Sequence, residues 1–327
     1  MPSSTPPNLP EVPRVPEVPH MPVPPDPTPC TSIDVTLEQL RPAVTLLVDQ
    51  SGSMRQSYPD DESPDSRWSV VQAALLDPDK GVVKSLEQSI QFGLTFYTSR
   101  NGFSGGSQCP LLTEVSAATN NYGPIDELYG ASYPDDDTPT GAAINAVLTS
   151  IQQAPRKGPE VILLVTDGDP DTCEQPDPQD GQPEAIQAAS AAHAAGVDFY
   201  VLGVSSDIAD EKLQQMANAG QGKPIDAVWG ADPDAAQPFR ASESVEGLTH
   251  QFRDILARVP LCEVELERAI APGEVTSAKV ILDGAELTFG SPDGFRLKDS
   301  KHFEIVGKAC ETLRASGKRL RVRIACD

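Results

Sequence analysis

The chain has 327 residues, long enough for one large folded unit and a small one. Its 48 acidic residues outnumber 25 basic ones, for a formal charge of −23, which argues against nucleic acid and anionic membrane as partners because both require a basic face. No apolar run approaches the roughly 18 residues needed to span a bilayer, and no signal-like apolar core follows Met1; either the protein stays in the cytosol or an export signal has been removed ahead of Met1.

Residues 1–29 hold twelve prolines, in runs such as Pro-Glu-Val-Pro-Arg-Val-Pro-Glu-Val-Pro, with too few large side chains to bury a core. This composition predicts an extended, disordered, polyproline-like tether. Next, Ala43-Val-Thr-Leu-Leu-Val-Asp49-Gln-Ser51-Gly-Ser53 reads as a buried strand that ends in small oxygen-bearing side chains. Asp49, Ser51 and Ser53 alternate there, one carboxylate and two hydroxyls, the oxygen set that hard divalent cations take. An acidic loop at 58–65 leads into a helix opened by Arg67-Trp68, with Trp68 expected as a packing residue. Ile90 to Tyr97 and Leu111 to Val115 read as a hairpin around a glycine-rich turn.

Thr138-Pro139 predicts a cap-then-proline start for a helix running to Ala154. Val161 to Thr166 is a second buried strand, closed by Asp167-Gly-Asp-Pro-Asp. Helices follow at 183–195, 209–219 and 245–259, with an apolar strand at 197–204 between the first two. Strands alternating with helices predict a doubly wound, mostly parallel α/β sheet. From Cys262 the rhythm changes to short alternating strands punctuated by Asp283-Gly and Asp293-Gly turns, a small β-rich module. The expected division is therefore a tether at 1–29, an α/β domain at 30–261 and the small module at 262–327.

Asp49-x-Ser51-x-Ser53, followed by Thr138 before a helix and Asp167 after a buried strand, resembles the metal-ion-dependent adhesion site of von Willebrand factor A domains. The resemblance covers roughly residues 40 to 260. It implies that Asp49, Ser51, Ser53, Thr138 and Asp167 hold Mg²⁺, or Ca²⁺ or Mn²⁺ in its place, and that a partner's Asp or Glu carboxylate completes the coordination. The flanking acids Asp135, Asp136, Asp137, Asp169 and Asp171 are either a solvated rim or an added Ca²⁺ site.

Six cysteines without C-x-x-C spacing or a nearby histidine argue against zinc. Their even number suits three disulfides and an exported protein; six reduced thiols are the alternative. Six cysteines allow fifteen connectivities, and sequence alone does not choose among them; the topology of a doubly wound sheet allows one set, Cys109–Cys173 following strands toward the metal end, Cys30–Cys262 at the opposite end, and Cys310–Cys326. Enzyme motifs are missing: the Asp49 turn lacks the G-x-S-x-G elbow, and there is no H-E-x-x-H, phosphate-binding loop or dinucleotide fingerprint. The composition resembles bacterial exported proteins with this domain, at the cell surface, in the periplasm or secreted, often lipid-anchored. The expected function is metal-dependent protein binding or adhesion; the alternative is an assembly component of an envelope or appendage complex in which the metal only stabilises the loops.

Overall fold

The sheet at the centre of the molecule is built around two runs whose every residue is buried, β2 (Ala43–Asp49) and β5 (Glu160–Thr166). The computed structural model of the chain describes residues 35–37, 40–59, 63–101, 107–174, 180–241, 244–259, 262–266, 269, 278–316 and 320–324. The tether at 1–29, Cys30 and Cys326 lie outside these residues.

In sequence between these two runs, and beside β2 in the sheet, β3 (Gln91–Asn101) and β4 (Ser107–Ala118) form the expected antiparallel hairpin; β6 (Asp198–Gly203) and β7 (Phe239–Arg240) complete the sheet. The order is β4-β3-β2-β5-β6-β7, parallel except at β4. This is the doubly wound α/β architecture that the alternating elements imply. Progress across the sheet reverses between β2 and β5. At such a switch point the loops leaving the two strands diverge and open a crevice.

Continuous apolar runs divide by alternation. Val44, Leu46, Val48, Val161, Leu163 and Val165 face one core, and Leu47, Ile162 and Leu164 face the other. Burying each such side chain contributes roughly 1.5–3 kcal/mol. On the first face lie α1 (Arg67–Leu76), α2 (Val82–Leu86), α3 (Tyr122–Ala131) and α7 (Val245–Leu256). Trp68 is buried there, its ring 4.8 Å from Phe96 and 4.4 Å from Tyr129. On the second face lie α4 (Thr140–Gln153), α5 (Gln182–Ala194) and α6 (Asp210–Gly220). Small residues allow α4 and α5 to approach closely: a Cβ on Gly141 would lie 2.6 Å from Cγ of Glu184 and 2.8 Å from its backbone carbon.

Several details depart from the expectations. Helix α4 starts at Thr140 with Pro139 in the capping position and no side-chain cap, so Thr138 sits outside the helix rather than capping it. Helix α3 follows β4, where no helix is expected. The stretch expected as a small module, residues 262–327, holds β8 (Glu263–Glu265), β9 (Ala278–Leu282), β10 (Ala285–Leu287), β11 (Phe295–Leu297), β12 (His302–Ile305) and β13 (Leu320–Ile324), and its buried side chains share a core with the central sheet. The Asp283-Gly284 turn joins β9 to β10 with both residues at positive φ, the conformation a two-residue hairpin requires. The module also holds a helix, α8 (Gly307–Ser316), and receives a strand from the other end of the chain: β1 (Val35–Leu37) pairs antiparallel with β13. A strand within residues 30–261 thus pairs with one within residues 262–327.

Cys109 is bonded to Cys173, with Cα atoms 5.4 Å apart. The second bond is Cys262–Cys310, which overturns both Cys30–Cys262 and Cys310–Cys326. The physical reason is α8. It buries Ala309 and Leu313, one turn apart, in the same core as Phe295 and Phe303, and this brings Cys310 to Cys262 at the start of β8.

Candidate metal centre

At the carboxyl end of β2 the chain leaves the sheet through Gln50 into a 3₁₀ turn at Gly52–Arg55. At the carboxyl end of β5 it leaves through Asp167 and Gly168. Because β2 and β5 are neighbours in register, with Val48 opposite Val165, Asp49 lies beside Thr166 and close to Asp167. Both carboxylates are completely buried. Buried carboxylates must find donors, and these do.

Asp49 accepts a hydrogen bond from the Ser51 backbone N–H at 2.8 Å on one oxygen and from the Thr166 hydroxyl at 2.7 Å on the other. Ser51 Oγ lies 2.9 Å from Ser53 Oγ, and Ser53 Oγ donates to Asp167 at 2.8 Å. Four of the five expected site residues thus form one chain of contacts. Among the described residues, Thr138 stands outside that chain and is brought to it by backbone. Its N–H donates to the Asp171 carboxylate at 2.9 Å, its carbonyl accepts from the Asp171 N–H at 2.8 Å, and Gly52 N–H donates to the Asp136 carbonyl at 2.9 Å. The loops after β2 and β5 and the loop before α4 are therefore stitched together.

Four of the five flanking acids have protein partners for their carboxylates. Asp135 pairs with Arg55 at 2.7 Å and Asp169 with Lys212 at 2.6 Å; Asp137 accepts from the Ser99 hydroxyl, and Asp171 from Thr138.

Reading the sequence misses two residues that matter. Arg67, with its side chain only 9% exposed, donates to the second Asp167 oxygen at 2.7 Å and to Asp207 at 2.5 Å. One signal was available: Arg67 is the first residue of α1, and a cation at a helix N-terminus opposes the helix dipole unless an acid compensates it. The other is Thr166, an in-strand hydroxyl that reads as a β-former and nothing more.

Burial, followed by the neighbouring Asp167 charge, pushes the Asp49 carboxyl up to about 7, against the hydrogen bonds from Ser51 and Thr166. Burial also raises Asp167, with Arg67 and Ser53 pulling the other way. Two acids crowded in a water-poor site thus hold protons more tightly than in water, and a cation between them would relieve both causes.

The donor set fits a hard divalent ion, since every candidate ligand atom is oxygen. Among the described residues no three His, Cys, Asp or Glu side chains converge in a metal-ligating group. A cation here would rest on hydroxyls as much as on carboxylates. Among these residues, too, no helix is long and apolar enough to cross a membrane.

The von Willebrand factor type A domain model matches residues 43–228, just over half of the chain. No curated protein matches the sequence. Of the solved structures, the PilB minor pilin from Streptococcus sanguinis is similar with a TM-score of 0.50 and 16% identity, covering 67% of this chain and 61% of the pilin. The pilus adhesin SpaC from Lactobacillus rhamnosus GG, in its open conformation, gives 0.49 and 13%, covering 88% of this chain and 39% of the adhesin. The manganese-loaded TRAP protein of Plasmodium vivax gives 0.45 and 18%, with 69% and 76% covered. At such identities the likeness is one of fold. The chain spans about three fifths of the pilin's length.

Proposed function

The chain belongs to the von Willebrand factor type A domain family, and from that premise we propose that it is a metal-dependent protein-binding or adhesion module. Asp49, Ser51, Ser53, Thr138 and Asp167 hold one divalent cation, Mg²⁺ or, in its place, Ca²⁺ or Mn²⁺. A hard cation held largely through neutral hydroxyls keeps residual positive charge and offers a coordination position to the Asp or Glu carboxylate of a partner protein.

The protein's own residues have distinct tasks. Asp49 is the buried anchor, fixed on both oxygens by Ser51 and Thr166. Ser51 and Ser53 present hydroxyls from a 3₁₀ turn, and the Asp136 carbonyl holds Gly52 within that turn. Thr138 comes from a loop fastened to Asp171. Asp167 is steered by Ser53 and Arg67. The observation that carries the reading is the contact chain Asp49–Ser51–Ser53–Asp167 across the β2/β5 switch point.

Binding rather than turnover is favoured because both carboxylates are engaged on both oxygens, which leaves neither as an idle general base. Two of the histidines, His250 and His302, are paired with Asp254 and Asp299 away from the site. The two disulfides among the described residues favour an oxidising compartment, at a cell surface, in an envelope space or secreted. The fold shared with a minor pilin is compatible with that location.

Calorimetric titration with Mg²⁺ tests the reading. Wild type is expected to bind one ion; Asp49→Ala and Thr138→Ala are expected to lose binding while remaining folded. Mg²⁺ binding that is unchanged in Asp49→Ala contradicts it. A Mg²⁺-dependent rise in melting temperature without any chelator-sensitive capture of an envelope protein would favour the assembly role instead.

A further inference from the structure

Asp167 has two oxygens and two occupants. One oxygen takes the Ser53 hydroxyl, and the other takes Arg67 Nη1 at 2.7 Å, in a pair whose side chains are 9% and 0% exposed. A guanidinium this close to the carboxylate is already a counter-cation for the cluster. Its position is built, not incidental. Arg67 opens α1, where the helix dipole disfavours positive charge, behind a Ser66–Ser69 capping box that fixes the first turn. The same guanidinium reaches Asp207 through Nη2 at 2.5 Å, and Asp207 lies on the loop after β6 with its side chain 54% exposed.

That loop is itself fastened. Ser205 Oγ donates to the Asp167 carbonyl, the Asp207 N–H donates to Ser205 Oγ at 3.0 Å, and Arg240 on β7 donates to the carbonyls of Ser205 and Ile208. Arg67 is thus divided between a buried acid at the site and a half-exposed acid on a pinned loop.

We propose that Arg67 competes with the divalent cation for Asp167 and sets its affinity, with Asp207 drawing part of the guanidinium charge away from the site. The proposal rests on the metal reading of Asp49, Ser51, Ser53, Thr138 and Asp167. Electrostatics fixes its sign: a full positive charge bonded to a metal-side carboxylate repels a divalent ion a few ångströms away, in a site where burial weakens screening. Removing the charge tightens metal binding; freeing Arg67 from Asp207 weakens it. If instead Arg67 merely held Asp167 in place, removing it would weaken binding and Asp207 would be irrelevant.

The test is calorimetric titration of the full chain with Mg²⁺ alone, alongside the melting temperature in EDTA. Arg67→Met is expected to lower the Kd about tenfold or more, as loss of a nearby charge in a low-dielectric site should, although its melting temperature in EDTA falls. Arg67→Lys, which keeps the charge, should stay within about threefold of wild type, and Asp207→Asn should raise the Kd by about threefold or more. Binding detected only in Arg67→Met supports the proposal as well. Unchanged or weaker binding in Arg67→Met overturns it while leaving the metal site standing. Should Arg67→Met fail to fold, an Asp207→Asn protein with wild-type affinity overturns it alone. Failure of wild type and all three variants to bind Mg²⁺ removes this proposal together with the metal reading.

Discussion

The body of the central sheet and its carboxyl rim are equally buried, yet they are held by different forces. Leu46, Leu47, Leu163 and Leu164 are fully buried among apolar neighbours; within a few residues of them, Asp49, Thr166 and Asp167 are as deeply buried among hydrogen bonds and charges. In the body, stability follows area and packing and is indifferent to pH and ions. At the rim the same burial raises carboxyl pKa values and makes each contact conditional on its partner.

The contrast can be broken at its strongest point first. Leu163→Ala is expected to cost about 2–5 kcal/mol of unfolding free energy, equally in EDTA and in Mg²⁺ and equally at pH 5 and pH 8. Chemical denaturation under the four conditions checks this, and a cost that varies with metal or pH would erase the distinction. Next in size is the covalent staple of the small module. Cys310→Ser should lose about 2–4 kcal/mol under oxidising conditions and nothing once the parent protein is reduced.

At the rim, Thr166→Val keeps the shape of the side chain but removes the donor to the Asp49 carboxylate. About 1.5–3 kcal/mol should be lost, the range for hydrogen bonds to charged groups, and Mg²⁺ affinity should change with it.

Titration gives a further contrast, and its sign follows from Asp49. In the folded protein its carboxyl is pushed up to about 7, while in the unfolded chain it titrates near its ordinary value of 3.8. Between those values the folded state holds a proton that the unfolded state has released. Raising the pH across this window in EDTA should therefore lower stability, with little further change from this group above it. Mg²⁺ should cancel the loss at the upper end. Melting temperatures at pH 4.5 and 7.5, with and without the ion, provide the check. Least of all, Arg55→Ala breaks an exposed pair with Asp135 and should cost under about 1 kcal/mol.

What the sequence reveals follows the same division. The apolar runs of β2 and β5 identify themselves, and the Asp49-x-Ser51-x-Ser53 turn stands out because small polar residues end an apolar strand abruptly. Contacts made by side chains far apart in sequence leave no local trace. Arg67 looks like an ordinary charged helix start until Asp167 and Asp207 are seen to share it. The pairing of Val35 with Val322 joins opposite ends of the chain, so periodicity within either segment is silent about it. Helix α8 offers only a faint helical signal, Ala309 and Leu313 one turn apart in a polar stretch, and the partners of Cys262 and Cys310 are hidden with it.

The most direct test of the central claim is the position of a bound ion. Crystals of the protein equilibrated with Mn²⁺ should give one strong anomalous peak between the Asp49 turn and the Thr138 loop, within bonding distance of the Ser51, Ser53 and Thr138 hydroxyls. A peak elsewhere, or density at that position that does not change with Mn²⁺, would contradict the account.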